Sequence, residues 1–223
     1  MNVNFVNYSD HNYESNRKKL SAMGEWEFDK VFPYSPSDID EDFYKQNKKI
    51  LDLPRGAGYW LWKPYFIYRT LLEVEEGDIV FYLDSGDFFT SGICGYLKNA
   101  MLERDMMLVP SSNKQRCYTK RDCFILMGMD TEEFWNATQV EAGIVAVKNN
   151  DKGRALVGEW LHWAKNENII TDVDNICGED NFECFKDHRH DQSIISNMAK
   201  KYNIYLDNSI RRWVTCNVVV KNA

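Results

Sequence analysis

The stretch Gly77–Asp87, which reads GDIVFYLDSGD, constrains the fold most strongly. Its five consecutive apolar or aromatic residues, Ile79 to Leu83, lie between Gly-Asp and Ser-Gly. Such a run is typical of a strand buried on both faces in a parallel sheet, because a half-exposed strand would alternate. Ligands of open α/β sheets bind beyond the carboxyl ends of these strands. We therefore expect Asp84 and Asp87 at a binding edge, although a solvated turn capped by Asp explains this stretch equally well.

Strand and helix patterns alternate along the rest of the chain. The sequence predicts strands over residues 3–8, 28–32, 79–83, 106–109 and 139–147, and helices over residues 12–22, 59–72, 93–103, 120–128 and 151–165. This order predicts an α/β fold with a mainly parallel central sheet flanked by helices. A chain of 223 residues suits one such domain, and we expect it to span residues 1–223.

The charge and composition narrow the range of partners. The formal net charge is −7, so no basic face is evident, and neither nucleic acid nor an anionic membrane is expected to bind. Aromatic residues make up 14% of the chain, and aromatic faces suit sugar rings or nucleobases, although protein cores use the same residues.

The cysteines and the first residues bear on the compartment. The six cysteines form no CxxC pair and no metal-finger spacing, so we expect reduced, structural thiols. The N-terminus lacks a basic segment followed by an apolar one, and no run approaches a membrane span. These features predict a cytoplasmic location without a transmembrane segment. The last residues, 218–223, leave open that the chain is a domain of a longer protein.

Two cations stand near the start of the aromatic helix. Arg55 precedes the glycines of Gly56-Ala57-Gly58, and Lys63 lies in the predicted helix over residues 59–72. Positive charge at a helix start opposes the helix dipole, so a nearby anion would explain it. We expect at least one of these side chains to contact a phosphate, with core packing as the alternative for the aromatic residues around them.

The segment His188–Ser193 is the second unusual stretch. It reads HRHDQS and precedes an apolar helix pattern, so it offers ligands, a base candidate and amide donors at a helix N-terminus. Asp191 as a plain helix cap is the alternative, but a cap does not account for the flanking His-Arg-His. Glu141 lies near another predicted strand end and is a second acid candidate.

Five segments of the chain together resemble a family of GT-A fold glycosyltransferases found in bacterial polysaccharide loci and in large viruses of algae. The resemblance covers about residues 55–200, and it rests on GYWLWKPY at 58–65, YLDSG at 82–86, YTKRD at 118–122, EAG at 141–143 and HRHDQS at 188–193. It implies a nucleotide-sugar donor, a UDP or GDP sugar, bound over the carboxyl edge of the sheet with Mn²⁺ or Mg²⁺ on its diphosphate. The acceptor would be a glycan or glycoprotein hydroxyl. Residues 1–110 would form the nucleotide-binding part and residues 111–223 the acceptor part.

The resemblance also carries expectations for individual residues. Such enzymes have Asp-x-Asp after the strand that corresponds to residues 79–83; here Asp84 matches the first acid, Gly86 replaces the second, and Asp87 follows. The segment Asp191–Ser193 resembles the Asp-Gln-Asp of retaining galactosyltransferases, which faces the donor sugar. The expected site comprises Asp191 and Glu141 as catalytic residues, Asp84, Asp87 and His188 as metal ligands, and, as donor-binding residues, Ser9, Arg55, Trp62, Lys63, Asp84, Ser85, Gly86, His190 and Gln192.

Two other functions fit parts of the pattern. A phosphatase with a strand-end Asp nucleophile would also show an apolar strand followed by Asp, but it predicts a second acid where this chain has Gly86. A catalytically silent module that binds a sugar or nucleotide would keep the fold without the reaction.

Overall fold

The computed structural model describes residues 1–216, so the apolar run at 218–220 lies outside the described residues. Six of the described strands form a central sheet, whose order from edge to edge is β2 (Lys30–Tyr34), β1 (Val3–Tyr8), β3 (Ile79–Leu83), β6 (Thr138–Lys148), β5 (Met106–Lys114) and β7 (Tyr205–Leu206). Neighbouring strands are parallel except where β6 pairs antiparallel with β3 on one side and with β5 on the other. The sheet is therefore mainly parallel, with one reversed strand near its centre, as the alternating pattern predicts.

The bounds of the elements within residues 1–216 are as follows. The strands are β1 Val3–Tyr8, β2 Lys30–Tyr34, β3 Ile79–Leu83, β4 Asp87–Phe89, β5 Met106–Lys114, β6 Thr138–Lys148, β7 Tyr205–Leu206 and β8 Val214–Cys216. The helices are α1 Glu14–Glu27, α2 Glu41–Leu51, α3 Gly56–Tyr59, α4 Trp62–Glu73, α5 Ile93–Ala100, α6 Gln115–Tyr118, α7 Arg121–Leu126, α8 Glu132–Trp135, α9 Asp151–Ala164, α10 Glu167–Ile170 and α11 His190–Tyr202. Strands β4 and β8 form a separate two-stranded sheet.

Helices cover both faces of the central sheet. Every residue of β1 and of β3 is buried, which explains their continuous apolar sequence. One face packs on α4, α9 and α11, around Phe66, Trp160 and Ile194. The other face packs on α1 and α5, around Leu20 and Leu97. The result is a three-layer α/β/α arrangement that leaves the carboxyl ends of the parallel strands open for a site.

Some predicted boundaries are displaced for identifiable reasons. Strands β1 and β3 are confirmed as predicted. Helix α1 continues to Glu27, past Gly24, because this glycine is buried against the strand: a Cβ there would lie 2.9 Å from the Phe5 ring. The aromatic helix begins at Trp62 rather than near Tyr59, because the residues before it have a left-handed backbone.

One expectation from the cysteines is wrong. Cys117 and Cys184 form a disulfide, with their Cα atoms 5.0 Å apart. Local spacing could not reveal the pair, because 67 positions separate its members and the fold brings them together. Cys94, Cys123 and Cys177 are free, as predicted.

None of the helices within residues 1–216 has both the length and the apolar character that a membrane crossing requires.

Candidate functional site

A cleft of about 500 Å³ opens at the carboxyl ends of the neighbouring parallel strands β1 and β3. This volume is within the range of small-molecule sites. Its lining comes from three segments: Tyr8, Ser9, Asp10, Asn12 and Tyr13 after β1; Asp84, Ser85, Gly86 and Asp87 after β3; and Pro54, Gly56, Ala57, Trp60 and Trp62 around α3. Three carboxylates line the cleft, those of Asp10, Asp84 and Asp87. None of the described residues in the lining has a cationic side chain.

One wall of the cleft is a left-handed turn. The five residues from Gly56 to Trp60 all have positive φ, between 50° and 95°, and α3 is therefore a short left-handed helical turn. Glycine adopts this backbone readily, but Ala57, Tyr59 and Trp60 do so at a cost of about 1–2 kcal/mol each. Strain of this kind is concentrated at functional sites in proteins.

Contacts within the wall hold this strained turn in place. The Trp62 indole stacks on the Tyr8 ring with 3.8 Å between ring centroids, and its Nε1–H donates to the Gly56 carbonyl at 2.9 Å. The Trp60 ring stacks on the His190 imidazole at 5.3 Å. The wall therefore joins the end of β1 to the start of α11 through aromatic contacts.

Behind Asp84 lies a buried ion-pair triad. The Lys63 ammonium lies 3.3 Å from Asp84 Oδ1 and 2.8 Å from Asp191 Oδ2. The side chains of Lys63 and Asp191 are 3% and 6% exposed, whereas that of Asp84 is 40% exposed and reaches the cleft. The structure thus brings together two acids that are more than 100 positions apart, with a lysine between them.

One cation shared by two carboxylates sets the charge balance of the triad. Burial disfavours the charged form of Lys63, but the two carboxylates outweigh it and raise the pKa of the ammonium. Burial is also the main influence on Asp191, and together with the nearby Asp84 charge it raises the pKa of that carboxyl from 3.8 to about 6 in spite of Lys63. The Asp191 carboxyl therefore keeps its proton to a higher pH than an ordinary aspartic acid does.

The two oxygens of Asp84 have different surroundings. Oδ1 accepts a hydrogen bond from the Tyr82 hydroxyl at 2.5 Å, in addition to the Lys63 contact. Oδ2 faces Gly143 of β6, where an added Cβ would lie only 2.8 Å from it. The Gly143 carbonyl also accepts a hydrogen bond from the Asp84 amide at 2.9 Å. Oδ2 therefore occupies the place that a side chain at position 143 would fill.

Arg55 does not line the cleft. Its guanidinium contacts Asp172 Oδ2 at 2.9 Å and Asp187 Oδ1 at 3.0 Å. The anions that the sequence argument required near Arg55 and Lys63 are thus carboxylates of the chain itself.

The two histidines of the HRHDQS segment are buried among backbone carbonyls. His188 Nε2 contacts the Ile169 carbonyl at 2.8 Å, and its Nδ1 accepts the Lys120 amide at 3.3 Å. Burial lowers the pKa of His188 well below its usual value, and His190 lowers it further. His188 lines a different cavity, so the structure does not support its predicted place beside Asp84 as a metal ligand.

The other predicted residues divide between the cleft and its surroundings. Ser9, Trp62, Ser85 and Gly86 line the cleft, and the Ser85 hydroxyl donates to the Tyr8 carbonyl at 2.7 Å. His190 backs the wall through Trp60, while its Nδ1 contacts the Ile170 carbonyl at 2.7 Å.

Glu141 and Gln192 are occupied by partners outside the cleft. The Glu141 carboxylate accepts from Arg211 at 2.5 Å, and the Gln192 amide donates to Gln139 at 2.9 Å. Glu141 is therefore not placed as a base, because its carboxylate is engaged with Arg211 and the cleft lining does not include it.

The oxygen donors in the cleft fit a divalent ion that also binds a ligand. Within residues 1–216, no group of three or more His, Cys, Asp and Glu side chains could hold a metal by itself. Mg²⁺ sites, however, commonly use one or two carboxylates together with substrate phosphates. Asp84 and Asp87 are two such carboxylates on one wall of the cleft, and the Asp84 side chain is 40% exposed there.

Sequence reasoning missed three parts of the site. Asp10 follows β1 as Asp84 follows β3, so the same strand-end argument could have found it. Gly143 was noted only as part of a motif, and its role depends on contact across two strands. Tyr82 belongs to the apolar run of the sequence pattern, which hides the hydrogen bond of its hydroxyl. A buried tyrosine hydroxyl usually has such a partner.

Comparisons with known proteins find similarity among solved structures only. No family model matches the chain, and no curated protein matches it by sequence. Among solved structures, the bifunctional glycosyltransferase WbbM is similar at 13% identity and a TM-score of 0.50, over 92% of this chain and 38% of that one. Mouse xyloside xylosyltransferase 1 is similar at 10% identity and a TM-score of 0.46, over 92% of this chain and 71% of that one. The galactosyltransferase LgtC is similar at 12% identity and a TM-score of 0.43, over 87% of this chain and 70% of that one.

The fold is therefore of the GT-A type. The likeness to WbbM extends over nearly the whole of this chain, and the mainly parallel sheet between helical layers is the arrangement that the family resemblance implied. At such low identity the likeness concerns the fold alone. This chain spans well under half of WbbM.

Proposed function

We propose that the protein is a glycosyltransferase that moves a sugar from a nucleoside-diphosphate sugar to a hydroxyl of a glycan or glycoprotein. The proposal rests on the site as well as on the fold, because one fold hosts many functions. The observation that carries it is the cleft itself: aromatic rings and three carboxylates meet at the carboxyl ends of β1 and β3.

The charges of the cleft favour a metal-assisted donor. A nucleoside diphosphate is an anion, and the lining formed by the described residues has three carboxylates and no cationic side chain, so it would repel a diphosphate. Mn²⁺ or Mg²⁺ held by Asp84 and Asp87 would reverse that repulsion and neutralise the charge that grows on the departing diphosphate. This charge argument makes a divalent ion part of the proposal.

The chain's own residues would bind and orient the donor. Trp60 is the aromatic side chain that could contact a base or a sugar ring, because it is only half-buried and lines the cleft. Tyr8 and Trp62 stack on each other, are 4% and 5% exposed, and support the wall. Ser9, Ser85 and Gly86 supply polar groups and backbone at the same end of the cleft. Residues 1–110 therefore remain our candidate for the nucleotide-binding part, and residues 111–223 for the acceptor part.

The proposed function does not depend on the predicted acid–base role of Asp191. A pKa of about 6 suits a general base near neutral pH, but the carboxylate is buried and contacts Lys63.

We favour a UDP sugar over a GDP sugar as donor. A cytoplasmic location remains a prediction. The Cys117–Cys184 disulfide argues against it, because such bonds persist mainly in oxidising compartments.

A thermal-shift screen of UDP and GDP sugars, with and without Mn²⁺, tests the function. A bound donor raises the apparent stability by mass action, by about 2.7 kcal/mol at a hundredfold excess over Kd. We expect stabilisation only when donor and Mn²⁺ are both present. Asp84→Asn should abolish it, and Asp151→Asn, at a fully exposed helix position, should not.

The outcomes of the screen separate the alternatives. Donor binding without hydrolysis or transfer would indicate a silent binding module. Hydrolysis of simple phosphomonoesters without a donor would indicate the phosphatase, and full retention of metal-dependent stabilisation in Asp84→Asn would remove Asp84 from the site.

A further inference from the structure

Lys63 is a buried cation whose position is determined by two carboxylates. Its side chain is 3% exposed, and its ammonium also lies 5.3 Å from the Tyr82 ring centre and 5.7 Å from that of Trp62. An isolated ammonium in such a place would be strongly disfavoured, so its contacts with Asp84 and Asp191 are required for it to stay charged.

The Asp191 end of the triad is anchored in the core. Asp191 lies in the first turn of α11, and its backbone carbonyl accepts the Trp160 indole N–H at 3.2 Å. Helix α11 packs on β6 and on α9, so the carboxylate has little freedom to move. Lys63 is therefore held from the buried side, at 2.8 Å from Asp191.

The Asp84 end of the triad lies in the cleft, and its two oxygens differ in function. Lys63 and Tyr82 both engage Oδ1, which fixes the rotation of the carboxylate. This rotation leaves Oδ2 in the space beside Gly143. A chain of contacts thus runs from the core helix α11 through Lys63 to one oxygen of the carboxylate that lines the cleft.

We propose that Lys63 is a positioning residue: anchored by Asp191, it fixes Asp84 so that Oδ2 is presented to the diphosphate end of the cleft. This inference rests on the proposed function and replaces the expectation that Lys63 contacts a phosphate directly. Asp191 then acts on the site through Lys63 rather than by touching the donor.

A cycle of three variants separates positioning from mere structural support. Lys63→Met removes the ammonium and leaves Asp191 buried without a cationic partner, so stability and nucleotide binding should both fall. Lys63→Met combined with Asp191→Asn removes the uncompensated charge, so the melting temperature should recover. We measure melting temperatures, and the Kd values of UDP and of GDP in the presence of Mn²⁺.

The double variant distinguishes the two roles. If Lys63 positions Asp84, nucleotide binding stays about tenfold or more weaker even though stability recovers, because a small displacement of a binding group costs this much. If stability and the wild-type Kd recover together, Lys63 is structural only and the inference is wrong.

Two further measurements keep the inference testable if a variant does not fold or if the proposed function fails. Asp191→Asn is isosteric and keeps the Lys63–Asp84 contact; it should still weaken nucleotide binding, and an unchanged Kd would contradict the anchoring role. If wild-type protein binds neither UDP nor GDP, the proposed function fails. The inference then depends on donor-free crystal structures, in which Asp84 should rotate away from its present orientation in the double variant and would keep it if the inference is wrong.

Discussion

Lys63 and Arg55 show how burial separates two similar residues. Each is a cation near the start of the aromatic helix, and each contacts two carboxylates of the chain. The Arg55 side chain is 44% exposed, so its ion pairs are screened by water and contribute little, about 0–1 kcal/mol each. Lys63 is buried, and loss of one of its partners would leave an uncompensated charge. Lys63 is therefore the cation that matters for the site.

The raised pKa of Asp191 predicts a pH dependence of stability. A carboxyl whose pKa is 3.8 when unfolded and about 6 when folded stabilises the folded state below pH 3.8, and this contribution is lost as the pH rises through about 6. The difference corresponds to about 3 kcal/mol. Asp191→Asn should therefore reduce the decline in the free energy of unfolding between pH 4 and pH 6.5, as measured by urea unfolding. An unchanged pH profile would contradict the buried, ionisable state of Asp191, and Asp151→Asn serves as the exposed control.

The contact between Gly143 and Asp84 gives a second prediction. Gly143→Ala places a methyl group 2.8 Å from Asp84 Oδ2, so the carboxylate must rotate or shift. We expect Mn²⁺-dependent nucleotide binding to weaken by about tenfold, or 1.4 kcal/mol, measured by calorimetry. Gly95→Ala, at an exposed helix position with no atom within 4 Å of the new methyl, should leave binding unchanged. Equal affinities for the two variants would show that this space is not used.

At the scale of elements, the left-handed turn α3 is the part of the fold most at odds with local preference. Tyr59 and Trp60 follow a Gly-Ala-Gly segment and have positive φ, although large side chains avoid this region. The turn persists because Trp62 donates to the Gly56 carbonyl and Trp60 stacks on His190. The tertiary contacts that hold α3 are also those that form the wall of the cleft.

Relief of strain at Ala57 tests this account of the turn. Ala57→Gly keeps φ near 50° without a Cβ penalty, so we expect the free energy of unfolding to rise by about 0.5–1 kcal/mol after the extra entropy of glycine is subtracted. Ala155→Gly in the exposed part of α9 should lower it by about 1 kcal/mol. Urea unfolding measures whether each substitution raises or lowers the free energy of unfolding. A loss of stability in Ala57→Gly as large as that in Ala155→Gly would contradict the left-handed assignment.

The sequence predicted those elements whose pattern is set by burial on the sheet. Strands β1 and β3 were predicted with their correct bounds, because every residue in them is buried. The aromatic helix was predicted one turn too early. Hydrophobic periodicity does not reveal whether φ is positive or negative, so it could not show that Gly56 to Trp60 form a left-handed turn. The meeting of Asp84 with Asp191 followed from strand-end logic and the family resemblance. The cation between them was assigned to a phosphate, because its partners are distant in sequence.

At the scale of the whole molecule, the irregular segment over residues 171–189 joins separate parts of the site. Tyr59 of the cleft wall and Arg55, which precedes the wall, contact Asp172 in this segment. Cys184 attaches the segment to α6 through Cys117. Long irregular segments are uncommon inside compact folds, and this one is held in place by contacts with the rest of the chain. The disulfide therefore secures the support of the cleft wall as well as the loop itself.

Loss of the disulfide should weaken both the fold and the cleft. The bond closes a loop of 67 positions, so Cys117→Ser combined with Cys184→Ser should lower the free energy of unfolding by about 2–4 kcal/mol. Hydrogen exchange should increase first in residues 171–189. Cys94→Ser, at a free cysteine, is the control. Mass mapping of non-reduced protein that shows Cys117 and Cys184 as free thiols would contradict the bond.

The central claim is that Asp84 and Asp87 hold a divalent ion against a nucleoside diphosphate at the ends of β1 and β3. Anomalous diffraction at the manganese edge, from crystals soaked with Mn²⁺ and UDP, tests this claim most directly. The account predicts an anomalous peak within coordination distance, about 2.0–2.6 Å, of Asp84 Oδ2, with the diphosphate on its other side. A nucleotide bound elsewhere, or a manganese peak beside His188 and Asp172 with none at Asp84, would contradict it.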